Sequence, residues 1–240
     1  MTMLQQLALD RTAARSYYVG SALVLLLAGC TGRPGSIAPA NLRPLEESTA
    51  KSWAAELRPT RAMLYDLRWT YTTQKGSTRG RATVRFAPPD SLRFDYRAPF
   101  GRSGAAVVVG DSVLWAEPEE DVDQLIPVAP LFWAALGIPR DPPMGSRLYG
   151  LQTGSQRIWQ YVSLGDTLSY VIADSPELRL QAQVRRFDGF VGTTETVLDD
   201  STRVPEEATM TFPGSATLFV LNVVNVEMLA AHDPDVWKRP

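Results

Sequence analysis

Cys30 and His232 are the only cysteine and the only histidine in this chain of 240 residues. A thiol and an imidazole can serve as nucleophile and base, and both can bind a metal. One of each cannot form a disulfide within the chain or supply a Cys/His metal cluster. His232 follows the last predicted strand in a polar segment, where we expect an exposed and inert side chain.

An acidic stretch is the other group of side chains with chemical potential, and it comprises Glu117, Glu119, Glu120, Asp121 and Asp123. Carboxylates bind calcium, but the stretch lacks the glycine and the terminal glutamate of an EF-hand loop. A solvated loop is therefore the better interpretation. No Gly-x-Ser-x-Gly, His-Glu-x-x-His or phosphate-loop motif occurs. We expect no enzyme, no cofactor and no metal site.

The residues before Cys30 form the pattern of a secretory signal. Arg11 and Arg15 supply positive charge, and the apolar run from Tyr17 to Ala28 is shorter than the roughly 20 residues that span a bilayer. The run ends in Leu-Ala-Gly-Cys, which resembles the bacterial lipobox. A buried cysteine at the end of a core helix is the alternative, and it does not explain the order of these features. We expect a lipoprotein signal peptide over residues 1–29 and a lipidated Cys30.

Lipid on Cys30 predicts a location in the cell envelope. Each buried methylene contributes about 0.8 kcal/mol, so two or three acyl chains anchor a protein durably. An aspartate after the cysteine favours retention in the inner membrane of proteobacteria, whereas Thr31 resembles an outer-membrane signal. We therefore expect the periplasmic face of the outer membrane. Residues 30–44, which are rich in proline and glycine, are predicted to be a tether. The net charge of −2 argues against a nucleic-acid partner.

The mature chain is predicted to be mainly β with few helices. Glu46 to Leu57 has helical spacing, and the period changes to two from Tyr65 onwards. Successive segments then carry one apolar, aromatic face and one charged face, which is typical of an antiparallel sheet that is wet on one side. We count about eleven strands. The predicted domain covers residues 45–230, and residues 231–240 are predicted to be a C-terminal tail.

One apolar segment, from Pro130 to Pro139, interrupts the strands. Pro130 can begin a helix and Gly137 can end it, and a helix that is apolar nearly all round must be buried or must cover apolar surface. A sheet of this size that curls around its apolar face encloses volume. We expect a half-open antiparallel β-barrel around an apolar cavity, although each residue taken alone could be ordinary core. The predicted cavity residues are Leu67, Trp69, Tyr71, Val84, Phe86, Leu92, Phe94, Tyr96, Leu131, Phe132, Trp133 and Leu136.

The order of several motifs resembles the LolA/LolB family of periplasmic lipoprotein carriers and outer-membrane receptors. The resemblance covers residues 50–229. It rests on the proline turn within 86–94, on Ala-Pro-Phe-Gly at 98–101, on the apolar segment 131–139, and on Val-Pro at 204–205 before two final strands. The receptor is itself a lipoprotein, whereas the carrier is soluble, so Cys30 fits the receptor. Ala87 stands where the carrier has an arginine.

The resemblance implies a half-open barrel covered by short helices, whose cavity receives the acyl chains of cargo lipoproteins. It also implies a soluble periplasmic carrier as a partner, a monomeric state and insertion of the cargo into the outer membrane. The receptor pushes an apolar loop residue into the membrane, and Phe100 occupies that position here. Burial of Phe100 in its own loop is the alternative. A different function remains open on the same fold, that of a non-transferring outer-membrane lipoprotein that serves as a sensor or an envelope-assembly scaffold.

Overall fold

The computed structural model describes residues 36–110, 112–119, 129–142, 144–187 and 189–239. Within them, thirteen antiparallel strands form one sheet, in the order β1-β7-β8-β9-β10-β11-β12-β13-β2-β3-β4-β5-β6. The strands are β1 (Arg43–Pro44), β2 (Ala62–Thr73), β3 (Gly76–Ala87), β4 (Ser91–Arg97), β5 (Ser103–Val109), β6 (Ser112–Glu117), β7 (Arg147–Thr153), β8 (Gln156–Ser163), β9 (Asp166–Ala173), β10 (Arg179–Arg186), β11 (Gly189–Leu198), β12 (Pro205–Phe212) and β13 (Thr217–Leu229). In the same described ranges there are two α-helices, α1 (Glu47–Ala55) and α2 (Ala129–Ala135).

The sheet is unclosed in the described part of the chain, because β1 and β6 are its edges and are not paired with each other. The predicted half-open, mainly β fold is confirmed. Two strands exceed the predicted count of about eleven. They are β1, which has two residues, and β7, which has seven. The sequence did not predict β7 because Gly150, Gln152 and Thr153 interrupt the apolar alternation.

Alternation along β2 shows why these residues form a sheet with one wet face. Tyr65, Leu67 and Trp69 are buried on the concave face, whereas Asp66 and Arg68 between them are exposed on the outer face. Successive strand residues point to opposite sides, so a period of two separates the core from solvent. The same alternation continues in β3.

Both helices pack on the concave face. In α1 the buried residues are Ala50, Trp53 and Ala54, and the ring of Trp53 lies 5.9 Å from that of Trp159. The apolar helix α2 packs against β10, β11 and β12. Its burial agrees with the prediction for an apolar helix. No helix in the described ranges is long and apolar enough to cross a membrane.

The C-terminal segment forms a strap over the sheet, which differs from the predicted polar tail. His232 is half-buried, and its Nε2 lies 3.2 Å from the carbonyl oxygen of Met63 and 3.0 Å from that of Phe86. The expectation of an exposed His232 is therefore wrong. Trp115 Nε1 donates a hydrogen bond to the carbonyl oxygen of Trp237 at 3.0 Å, because the strap crosses the outer face of β4 to β6.

The predicted signal peptide, Cys30 and Thr31 lie outside the described residues. The second half of the predicted tether is described, and it packs onto the sheet. Ala38 is buried in a small apolar cluster with Ile158 and Val171, and β1 pairs with β7. Any free tether is therefore shorter than residues 30–44.

Candidate apolar binding site

An apolar pocket lies on the concave side of the sheet, between α2 and strands β3 to β6, with β13 at its back. Its volume is about 70 Å³. Among the described residues that line it, Glu117 alone carries a charge. The lining residues are Val84, Leu92, Phe94, Tyr96, Ala105, Ala106, Val108, Ala116, Glu117, Ala129, Phe132, Trp133, Leu136, Phe219 and Leu221.

Phe132 connects α2 to the strands that flank the pocket. Its ring centroid lies 6.4 Å from that of Phe94 and 6.2 Å from that of Phe219. Phe94 in turn lies 6.4 Å from Tyr96. Phe132, Phe94 and Tyr96 are only half-buried, so the pocket has an aromatic wall with residual access to solvent. Such a wall offers contact to an apolar chain and offers it few hydrogen bonds.

Small residues create the space. Ala106 in β5, Ala116 in β6 and Ala129 in α2 line the pocket with small side chains. Sequence reasoning did not select these alanines. The available signal was the run of β5, which is apolar on both faces.

Part of the predicted cavity set does line this pocket, and part does not. Val84, Leu92, Phe94, Tyr96, Phe132, Trp133 and Leu136 line it. Leu67, Trp69, Tyr71, Phe86 and Leu131 belong to the packed core beside it. The structure thus brings the predicted residues together around α2, and their contact with a ligand stays a prediction.

Large side chains fill the other half of the concave side. Trp159 and Tyr170 lie 5.2 Å apart, and Trp159 Nε1 donates a hydrogen bond to the hydroxyl of Tyr161 at 2.9 Å. Burial raises the pKa of Tyr161 well above its ordinary value. This half is therefore a packed core, and the apolar pocket lies in the half under β3 to β6.

Two buried hydroxyls hold α2 in place. Thr194 Oγ1 donates to the carbonyl oxygen of Leu131 at 3.1 Å, and Thr196 Oγ1 donates to that of Ala134 at 2.8 Å. The carbonyl oxygen of Ala134 also accepts a hydrogen bond from the N–H of Gly137 at 2.8 Å. The two threonines of β11 add donors from the sheet and thereby fix the helix over the pocket.

Phe100 projects from the β4–β5 connection and is 100% exposed. Its backbone lies in the left-handed region, with φ 62° and ψ 32°. Pro99 precedes it and Gly101, with φ 73°, follows it. The alternative of a buried Phe100 therefore does not hold, and its role at a membrane stays a prediction.

No cluster of three or more potential metal-binding side chains occurs in the described ranges. The residues Glu120, Asp121 and Asp123 of the acidic stretch lie outside these ranges.

The fold is similar to that of a solved protein of the LolA superfamily. The LolA superfamily protein NE2245 from Nitrosomonas europaea has 11% sequence identity and a TM-score of 0.55, over 81% of this chain and 98% of that chain. At this identity the likeness shows a LolA-like fold and nothing more specific. It does not distinguish a carrier from a receptor.

Two further solved structures show weaker similarity. A candidate outer membrane lipoprotein-sorting protein domain from Vibrio parahaemolyticus has 8% identity and a TM-score of 0.45, over 80% of this chain and 95% of that chain. A DUF1329 family protein from Desulfovibrio piger has 7% identity and the same TM-score of 0.45, over 80% and 95%. No protein-family model matches the chain, and no curated protein matches it.

Proposed function

We propose that this protein is a lipid-anchored receptor that binds acyl chains of lipoproteins and helps to insert them into the outer membrane. The observation that carries the proposal is the apolar pocket between α2 and β3 to β6, in which Glu117 is the one charged lining residue among those described. An acyl chain needs such a surface, since it gains free energy in proportion to the apolar area it removes from water. No catalytic role is proposed.

The pocket must widen to take a whole acyl chain. Its volume of about 70 Å³ is below the roughly 300 Å³ at which ligand pockets begin. Phe132 is half-buried on the wall, and its ring meets Phe94 and Phe219 through apolar contacts alone. We therefore propose that α2 and Phe132 move away from Phe94 and Phe219 when an acyl chain enters.

In the proposed function, Cys30 and Phe100 are the two residues that contact the membrane. Lipid on Cys30 would hold the domain at the periplasmic face of the outer membrane, and the exposed Phe100 would enter the bilayer when cargo is delivered. Because the tether makes insertion intramolecular, even the weak affinity of one side chain is effective. A soluble periplasmic carrier would be the donor of the cargo, and the receptor would act as a monomer.

Filling the pocket tests acyl binding directly. Ala106 lines the pocket and pairs with Phe94 on the concave side of the sheet, so Ala106→Phe should occupy the space. The full chain should bind a fluorescent fatty acid, and this variant should bind it much more weakly. Ala55→Phe places the same ring on the exposed side of α1 and should bind as the parent does. Equal binding by both variants would show that acyl chains do not bind in this pocket.

A second candidate function is a sensor or an envelope-assembly scaffold that transfers nothing. The packed half of the barrel, around Trp159, Tyr161 and Tyr170, favours it because a carrier of several acyl chains needs more open space. Native mass spectrometry of the purified protein separates the two candidates. Co-purified lipid supports the receptor, and a lipid-free protein that also fails to bind the fatty acid supports the scaffold.

A further inference from the structure

Two connections in the sheet share an unusual conformation. Phe100 in the β4–β5 connection has φ 62°, and Leu164 in the β8–β9 turn has φ 46°. Each is followed by a glycine with positive φ, which is Gly101 at 73° and Gly165 at 89°. The side chains of Phe100 and Leu164 are 100% and 91% exposed. A large apolar residue therefore stands in the left-handed region and in solvent at both places.

This choice of residue is unfavourable for the turn itself. Ser163 pairs with Asp166, so Leu164 and Gly165 form a two-residue hairpin turn. A turn with two positive φ values strongly prefers Asn-Gly, because asparagine tolerates the left-handed region and a bulky side chain does not. The exposed leucine gains no burial that would offset the strain. Backbone strain that the fold does not need is a feature of functional positions.

Phe187, in the neighbouring β10–β11 turn, extends the apolar surface around Leu164. It is 84% exposed. Its ring covers Gly165, since a Cβ atom on that glycine would lie 2.0 Å from the ring atom Cζ of Phe187. Leu164, Gly165 and Phe187 thus form one projection, here named the Leu164–Phe187 knob.

The surroundings of the knob carry more positive than negative charge. Arg185 and Arg186 precede Phe187, and Arg147 begins β7, the strand that pairs with β8. The acidic neighbours in the sequence are Asp166 and Asp188. Arg186 lies 3.8 Å from Asp166, so these two charges partly neutralise each other. The three arginines still outnumber the two aspartates, which leaves an excess of positive charge. Anionic headgroups of lipids attract such a surface.

We propose that the Leu164–Phe187 knob inserts into the headgroup region of an anionic lipid bilayer, as a second membrane contact in addition to Phe100. The knob is much smaller than the roughly 800 Å² that a stable protein partner covers. Apolar tips with flanking arginines instead match the boundary between acyl chains and headgroups. The inference rests on the proposed function only in placing the domain at a membrane, and it is independent of acyl binding.

Depth measurements test the proposal on the full chain carrying lipid on Cys30, in vesicles of phosphatidylethanolamine and phosphatidylglycerol. Leu164→Cys supplies a thiol for an environment-sensitive fluorophore. Its emission should shift to the blue, and spin-labelled lipids should quench it. The control is Leu114→Cys in β6, where the leucine is 61% exposed, and a label there should report water. A label at position 164 that also reports water overturns the proposal.

Leu164→Asn gives a second and independent readout. Asparagine suits the turn, so the thermal midpoint of the variant should be equal to or above that of the parent. The ratio of docked to undocked domain should fall roughly tenfold, the factor expected for removing one buried leucine side chain. Unchanged docking, or a lower thermal midpoint, would contradict the proposal. Binding of the fluorescent fatty acid should not change, so failure here is distinguishable from failure of the proposed receptor function.

Discussion

Thr196 and Ala134 are joined by a hydrogen bond of 2.8 Å from the buried hydroxyl to the helix carbonyl oxygen. The bond connects β11 to the last turn of α2, and α2 covers the apolar pocket. Together with Thr194, this buried hydroxyl ties the helix to the sheet beside the pocket.

Replacing this hydroxyl should loosen the helix. Thr196→Val keeps the shape of the side chain but removes one of two hydrogen bonds to the carbonyl oxygen of Ala134, since the N–H of Gly137 still donates to it at 2.8 Å. The loss of one hydrogen bond costs about 0.5–1.5 kcal/mol of the free energy of unfolding. We also expect faster uptake of a fluorescent fatty acid, because α2 leaves its closed position more often. Chemical denaturation and stopped-flow fluorescence measure the two effects. Thr193→Val, on the outward-facing side of β11, is the control and should change neither quantity.

Gly80 lies beneath the ring of Trp69. A Cβ atom on Gly80 would meet atom Cζ2 of Trp69 at 2.3 Å and the carbonyl oxygen of Arg97 at 2.1 Å. We expect Gly80→Ala to destabilise the domain by about 1–3 kcal/mol, the usual cost of overpacking. The same substitution at Gly214, which has no atom within 4 Å of the added carbon, should be tolerated. Equal denaturation midpoints for the two variants would show that Trp69 moves aside freely.

Arg93 holds the C-terminal strap on the sheet. Its Nη1 donates to the carbonyl oxygen of Val236 at 2.6 Å and to that of Lys238 at 3.2 Å, and only 14% of its side chain is exposed. Arg93→Met should lower the free energy of unfolding by about 1–2 kcal/mol and should increase hydrogen exchange in residues 233–239. Arg81→Met removes an exposed arginine on the neighbouring strand and should leave the strap protected. A protected strap in Arg93→Met would mean that other contacts suffice.

Asp199 should make the β11–β12 loop sensitive to acid. Its Oδ1 accepts hydrogen bonds from the hydroxyl and backbone N–H groups of Ser201 and Thr202, at 2.7–3.0 Å. These bonds, first that of the Ser201 hydroxyl, lower the pKa of Asp199 below its ordinary value. The stabilisation is therefore present above the unfolded pKa of about 3.9 and is lost as the pH falls towards the folded value.

The parent should thus be more stable than Asp199→Ala at neutral pH, and the difference should shrink below about pH 3.9. Urea denaturation at a series of pH values measures it. Glu206→Ala removes an exposed carboxylate of β12 and is the matched control. If the Asp199→Ala difference is constant, the hydrogen bonds to Asp199 do not depend on its charge.

Cys30→Ala should abolish lipidation, because the lipid has no other thiol to use in this chain. Labelling of cells with a palmitate analogue measures this, and the precursor should accumulate uncleaved. Thr31→Ala keeps the cysteine and should be labelled as the parent is. Labelling of the Cys30→Ala protein would contradict the prediction that this protein is a lipoprotein.

The fold could be predicted from the sequence where the alternation of apolar and polar residues along a strand indicates which side chains are buried. Trp69 and Phe86 alternate with charged residues, and a period of two assigns them to the core whatever their neighbours are. The pocket was harder to predict, since its space comes from Ala106 and Ala116, which matter only because they line the pocket together with α2. The strap around His232 was missed because its contacts are with backbone carbonyl groups, and these leave no pattern in the sequence.

The pairing of β13 with β2 has a consequence for how the chain folds. Ala62 pairs with Leu229, so one side of the first long strand has no partner until nearly the whole chain is available. Contacts between residues so distant in sequence slow folding. Until they form, the unpaired edge of β2 can pair with another chain. A chain that crosses the inner membrane from its N-terminus onwards would therefore expose β2 throughout its passage, and a periplasmic chaperone that covers this edge would raise the yield of folded protein.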